Sequence, residues 1–126
     1  MRGAALGTVC ALVLTACASG PPARDDAWRR AFVGSIDRVH EVAVDVLLDL
    51  DYDILDDDGD RVRARGRASG STRSVILELE LTAGDEWVVV DVQGRTDVGG
   101  GPADLDQIER ASAQVLAKMA ERLPVL

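Results

Sequence analysis

Apolar residues return at helical intervals from Ile36 onward: Ile36, Val39, Ala43, Val46, Leu47 and Leu50. Asp37, Arg38, Glu41, Asp45 and Asp49 fall mostly on the other side. Steps of three and four residues set one apolar stripe along a helix, so this spacing predicts an amphipathic helix over about residues 36–50. Ser35 suits its N-cap, because a hydroxyl there accepts a bond from a free backbone N–H, and Asp37 suits the positive end. A second stripe of Leu105, Ile108, Ala111, Val115, Leu116, Met119 and Leu123 predicts a closing helix. Asp104 fits as its cap, with Gln107 three residues on, and Pro124 as its stop.

Between the two stripes the period changes to two. A three-residue loop at Asp57-Asp58-Gly59, with Gly59 left-handed, would set Ile54 opposite Val62 and Tyr52 opposite Ala64 on one face. Asp53 would then meet Arg63, and Asp51 would meet Arg65, on the other. A two-residue turn at Gly70-Ser71 puts Leu79 beside Val62, Leu77 beside Ala64 and Val75 beside Gly66, with Arg63 against Glu78 and Arg61 against Glu80. A third turn at Gly84-Asp85 sets Val90 beside Leu79, Val92 beside Leu77 and Val88 beside Leu81. All three hairpins choose the same apolar face, and a one-residue slip in any strand would turn that set into water. Arg30 to Val33 fits either a short edge strand or an extra helical turn, and is read as a strand. RTDVGGGPA, after Gly94, reads as a loop. The elements predict a two-layer α+β domain, an antiparallel sheet with two amphipathic helices on one face.

The first residues do not belong to that domain. MRGAALGTVCALVLTAC has one charge at Arg2, an apolar run from Ala4 to Leu14, and then small residues, which is the pattern of a secretory signal. The run is shorter than the roughly 20 apolar residues that span a bilayer. Leu14-Thr15-Ala16-Cys17 resembles the bacterial lipobox, in which the cysteine is lipidated and becomes the first mature residue. The expected organisation is a signal over 1–16, a lipidated tether over 17–27 that includes Gly20-Pro21-Pro22, and one domain over 28–126. Cys10 would leave with the signal and Cys17 would carry lipid, so the mature chain would hold no thiol for a disulfide or a thiolate metal site. Two or more acyl chains anchor firmly where one does not. In a Gram-negative cell, Ala18 after the cysteine resembles the outer-membrane sorting pattern. The expected location is then the periplasmic face of the outer membrane; in another envelope the same lipid would hold the domain to the cell membrane.

The formal net charge is −8 at pH 7, and losing Arg2 with the signal would make it −9. Such a chain is repelled by nucleic acid and by anionic lipid, so nucleic acid is excluded as a partner and charge cannot supply the membrane attachment. The chemical motifs are thin. His40, the single histidine, has Asp37 and Glu41 near in sequence but no serine in a nucleophile-elbow pattern, and is read as packed or half-exposed. LDLDYDILDDDGD suggests calcium, but aligning Gly59 with the loop glycine of an EF-hand leaves Ile54 first and Arg65 last, so the aspartates are read as turn and ion-pair residues. Arg61, Arg63, Arg65 and Arg67 alternate along one strand, and are read as charge-paired with Asp51, Asp53, Glu78 and Glu80. Gly99-Gly100-Gly101-Pro102 lacks the spacing and lysine of a phosphate loop. No catalytic set, metal site or cofactor site is expected. The expected registers do point Ile76, Trp87 and Val89 outward beside Arg63, a candidate partner surface.

AFVGSIDRVHEVAVDVLLDLDYDI, an acidic turn, three strands and IERASAQVLAKMAERL, behind a lipobox, resemble small bacterial outer-membrane lipoproteins of a family with no assigned function. That resemblance implies a βαβββα layout. Asp51 stands where such sequences often have glycine, and His40 where they often have tryptophan. WVVVDVQGRTDVGGGPADLDQIERASAQVLAKMAERL also resembles the end of the helix-grip-like module of lipoprotein C of the outer-membrane barrel-assembly machine. Neither resemblance supplies catalytic residues. Together with the lipobox they imply a non-enzymatic interaction or structural module with an envelope protein partner. The alternative is a carrier of small apolar ligands or lipid in a groove between helix and sheet.

Overall fold

A computed structural model of the chain describes residues 28–67, 73–96 and 102–126. The signal and tether, Cys17 included, lie outside these residues, as do the Gly70-Ser71 turn and the Gly99–Gly101 run.

The chain runs β1 (Arg29–Val33), α1 (Ile36–Asp49), β2 (Asp53–Asp57), β3 (Arg61–Gly66), β4 (Val75–Ala83), β5 (Trp87–Thr96) and α2 (Pro102–Ala120). The five strands form one antiparallel sheet in the order β1-β5-β4-β3-β2. Val62, Ala64, Leu77, Leu79, Leu81, Val88, Val90 and Val92 share one core with Val39, Ala43, Val46 and Leu47 of α1 and with Ala111, Val115 and Met119 of α2. The fold is therefore a two-layer α+β domain, with one strand more than the βαβββα layout implies. The segment before Ser35 is a strand, paired with β5 through Phe32 opposite Val88.

Local chemistry explains the helix ends. Ser35 Oγ accepts the Arg38 N–H at the start of α1. After α1 the chain reverses at Asp51, whose φ of 65° lies in the left-handed region, rare for any residue but glycine and asparagine-like side chains. α2 begins at Pro102, so Asp104 sits inside its first turn rather than before it. The fixed φ of proline suits the first helical position, and its missing N–H costs nothing there.

The β3–β4 register is the expected one, with Val62 opposite Leu79, Arg63 opposite Glu78 and Gly66 opposite Val75. The β4–β5 hairpin differs from expectation by two residues, and the β2–β3 hairpin by two residues up to a bulge and by three beyond it. Leu79 pairs with Val92 rather than Val90, and Leu77 with Gly94 rather than Val92. Residues 84–87 close this hairpin as a four-residue loop, in which Gly84 N–H donates to Trp87 O at 2.7 Å. The slip carries β5 on to Thr96, so Arg95 and Thr96 belong to the ladder and not to a loop. A two-residue slip keeps every side chain on its face, and hydrophobic alternation alone cannot detect it.

At β2–β3, Ile54 pairs with Ala64 and Asp53 with Arg65, and a bulge at Leu55 then brings Asp56 opposite Arg63 and Asp57 opposite Val62. Tyr52 lies across Gly66: a Cβ there would fall 2.5 Å from the ring. The bulge rotates Asp57 from the outer face to the helix face, where His40 of α1 waits. Gly59, at φ 89°, takes the left-handed turn position expected of it.

Both sheet edges are guarded. Val33 N–H donates to Pro124 O and Leu126 N–H to Ala31 O, so the C-terminal residues cover the free edge of β1. The β2 edge carries Asp53, Asp56 and Asp57 and the bulge, devices that discourage further strand pairing.

Candidate functional site

The outer face of the sheet divides into two regions along the strands. At the β1–β5 end, Ala31 and Val89 share one row and Val33 and Trp87 the next. Trp87 folds back on the turn, where a Cβ on Gly84 would fall within 2.2 Å of its indole. Ala31 is buried beneath the C-terminal residues, while Val33 and Leu126 stay 38 % and 51 % exposed.

Toward the other end the rows become charged. Arg29 bonds Asp91 at 2.8 Å. Arg61 reaches Glu80 at 3.0 Å and Glu78 at 3.4 Å, and these acids hold its guanidinium pKa above its ordinary value. Exposed pairs of this kind contribute little to stability, because solvent screens them. Beyond them Ile76, at 8 % exposure, lies between Arg65 and Arg95 in its row, beside Arg63, Glu78 and Gln93. A cleft of about 330 Å³ opens there, lined by Arg63, Ile76, Glu78, Gln93, Gly94 and Arg95.

The four residues expected to share one partner surface are thus placed in two groups. Ile76 and Arg63 line the cleft, whereas Trp87 and Val89 lie at the far end, since Val89 pairs with Thr82, six residues from Ile76 along β4. Six residues of strand span about 20 Å. The expected register already set Val89 opposite Glu80, four residues from Ile76, and the slip widens that distance by two residues. Arg63 also does not make the expected pair with Glu78, whose carboxylate is engaged by Arg61.

His40 is half-buried, and its Nε2 lies 2.7 Å from Asp57 Oδ1. Its partner is therefore neither Asp37 nor Glu41. The Gly59 N–H, donating to Asp57 Oδ1 at 2.9 Å, together with His40, holds the Asp57 pKa below the usual aspartate value. The pair ties the β2–β3 turn to α1. A catalytic dyad would need a nucleophile against His40, and among the described residues Asp57 is its side-chain partner. Sequence spacing hid this contact because the bulge at Leu55 creates it.

A second cleft, of about 600 Å³, lies where α1 ends, with Asp49, Asp51, Asp53, Arg65, Arg67 and Gln114 among its walls. Asp49 is bonded to Arg122. Both clefts are walled largely by charged and amide side chains. The helix–sheet interface itself is filled by fully buried Val39, Val46, Leu47, Leu77, Leu79 and Met119. Among the described residues, no three His, Cys, Asp or Glu side chains are grouped to hold a metal ion, and no helix is long and apolar enough to cross a membrane.

No family model and no curated protein matches the chain. Among solved structures it is similar to a chain of the adenylate sensor from AMP-activated protein kinase, solved in complex with 5-aminoimidazole-4-carboxamide 1-β-D-ribofuranotide. The TM-score is 0.53 at 14 % identity, covering 71 % of this chain and 93 % of that one. The likeness is one of fold alone. It agrees with the two-layer arrangement and assigns no residue a role.

Proposed function

We propose that this protein is a lipid-anchored, non-enzymatic interaction module, held at the periplasmic face of the outer membrane in a Gram-negative cell and serving envelope assembly or maintenance. The observation that carries the reading is Leu14-Thr15-Ala16-Cys17, between an apolar run and a short polar segment that leads straight into the domain. Lipid on Cys17 supplies the membrane attachment that the net charge of −8 opposes. From Cys17 to Trp28 a fully extended chain reaches at most about 40 Å, so the domain works close to the bilayer surface.

The filled helix–sheet interface favours the interaction reading over the carrier. A pocket for an apolar ligand is lined mainly by apolar and aromatic side chains, whereas the two clefts lie outside that interface and present arginines, acids and amides. The outer sheet face is the surface such a module offers.

Crosslinking in intact cells, followed by native purification, tests the proposal. A defined envelope protein should be recovered with the full-length chain in repeated preparations. Recovery of the uncrosslinked chain alone, from cells in which it is abundant, would defeat the proposal.

A further inference from the structure

The arginines of the outer sheet face are not equivalent. Arg29 and Arg61 are matched with acids. Among the described residues, Arg63 and Arg95 form no ion pair, although the chain carries 22 acidic side chains against 14 basic ones. Both line the 330 Å³ cleft. The Nε of Arg63 is buried and has no hydrogen-bond partner among the described residues. A guanidinium N–H without an acceptor is costly to bury; no described protein group satisfies this end of the Arg63 guanidinium, and it is the terminal nitrogens that are left to meet an oxyanion in the cleft.

The strand positions let the two groups converge. Arg63 stands opposite Glu78, and Arg95 opposite Ile76, on either side of β4. Two strand spacings and a two-residue offset separate their Cα atoms by about 12 Å. Each extended side chain covers about half of that, so both forks reach a group held over β4. Ile76 supplies an apolar floor between them, and the Gln93 amide can donate at the rim.

The geometry points to a binding site for a carboxylate carried on a short apolar stem. The fork of each guanidinium matches carboxylate oxygens, and Ile76 packs the stem. Glu78 at the cleft wall and the acidic net charge favour a monoanion over a phosphate dianion. A carboxylate can come from a small organic acid or from the free end of a peptide. This site deepens the interaction reading and rests on it for its purpose, but the titration below can fail while a crosslinked partner is still recovered, so the two failures are separable.

The test is a nuclear magnetic resonance titration of the full chain in detergent micelles at pH 7. Butyrate should produce saturable shifts at the backbone amides of Ile76, Gln93 and Arg95 and at the Arg63 Nε–H. Butyramide should produce none, and inorganic phosphate should bind more weakly than butyrate. Arg63→Gln and Arg95→Gln should each weaken butyrate about tenfold, as loss of a charge-assisted bond does, while the other resonances stay in place. Acetyl-alanyl-leucine with a free carboxylate is the second arm: binding tighter than butyrate assigns the group to a peptide end, and weaker binding assigns it to a small acid. Absence of saturation at this cleft overturns the site. So does phosphate binding as tightly as butyrate, or full affinity in both glutamine variants.

Discussion

Replacing Gly94 by alanine probes the slipped register and the packing of α2 in one step. An ideal Cβ at Gly94 lies 2.6 Å from Ile108 Cγ2 and 2.9 Å from Leu77 Cδ2. Apolar carbons are comfortable at about 3.5–4.0 Å. Both neighbours must therefore yield by about 1 Å, and both are deeply buried, Leu77 at 0 % exposure and Ile108 at 5 %. Overpacking of this kind costs about 1–3 kcal/mol. The lower backbone entropy of alanine returns about 0.5–1 kcal/mol in a strand. The net expectation is a destabilisation of about 1–1.5 kcal/mol. For a domain of about 100 residues that lowers Tm by about 4–12 °C. Urea denaturation and thermal melts of the full-length chain measure it. Ile108→Ala removes one of the two crowding groups, so the double variant should be less destabilised than the sum of its parts, by about 1 kcal/mol. A neutral or stabilising Gly94→Ala, with additive effects, would refute the argument. That result would follow if Gly94 stood opposite Val75 at the end of the ladder, as hydrophobic alternation with a two-residue turn would have it.

Three further perturbations bear on other parts of the account. The Tyr52 hydroxyl is buried with no hydrogen-bond partner among the described residues, so Tyr52→Phe should stabilise the fold by about 1 kcal/mol in urea denaturation, and a loss of that size would reveal a missed partner. Burial pushes the Tyr52 phenol from 10 up to about 12. The neutral form is favoured in the fold, so its contribution is complete below pH 10 and is lost as pH rises through 12, an alkaline loss that Tyr52→Phe should lack. Asp57 is held below the usual aspartate value by Gly59 and His40, so its contribution is present above that value and fades as pH falls through its own lower one. Asp57→Asn should be the less stable protein at pH 6, and melts at successively lower pH should converge with those of wild type; a constant gap would contradict the assignment.

The part of the fold visible in the sequence was the part written in periodicity. The stripes of both helices, the common inner face of the strands and the β3–β4 register follow from which side chains avoid water. Strand offset does not, because a two-residue slip leaves every face unchanged. The slips were decided by turn and close-packing chemistry: Gly84 beneath Trp87, Gly94 between Leu77 and Ile108, and Gly66 beneath Tyr52. Each glycine marks a place where another side chain occupies its Cβ space, which only three-dimensional contact reveals. The candidate surface suffered accordingly. Arg63 and Ile76 do lie together, but Trp87 and Val89, already four residues or more from Ile76 along the sheet, are set two residues farther off by the β5 slip, and Arg95, read as loop, is brought in by it. His40 and Asp57 met through a bulge that no spacing rule announces.

The lipid anchor is the claim on which location and proposed role both rest, and the most direct measurement is the mass of the N-terminal peptide of the mature protein isolated from membranes. The account predicts a chain that begins at Cys17, with acyl chains on that residue and residues 1–16 absent. Cys17→Ser should leave the domain unprocessed at that position and lacking the added mass. An unmodified Cys17 thiol in the mature chain would contradict the anchor, and with it the placement of this domain at the envelope surface.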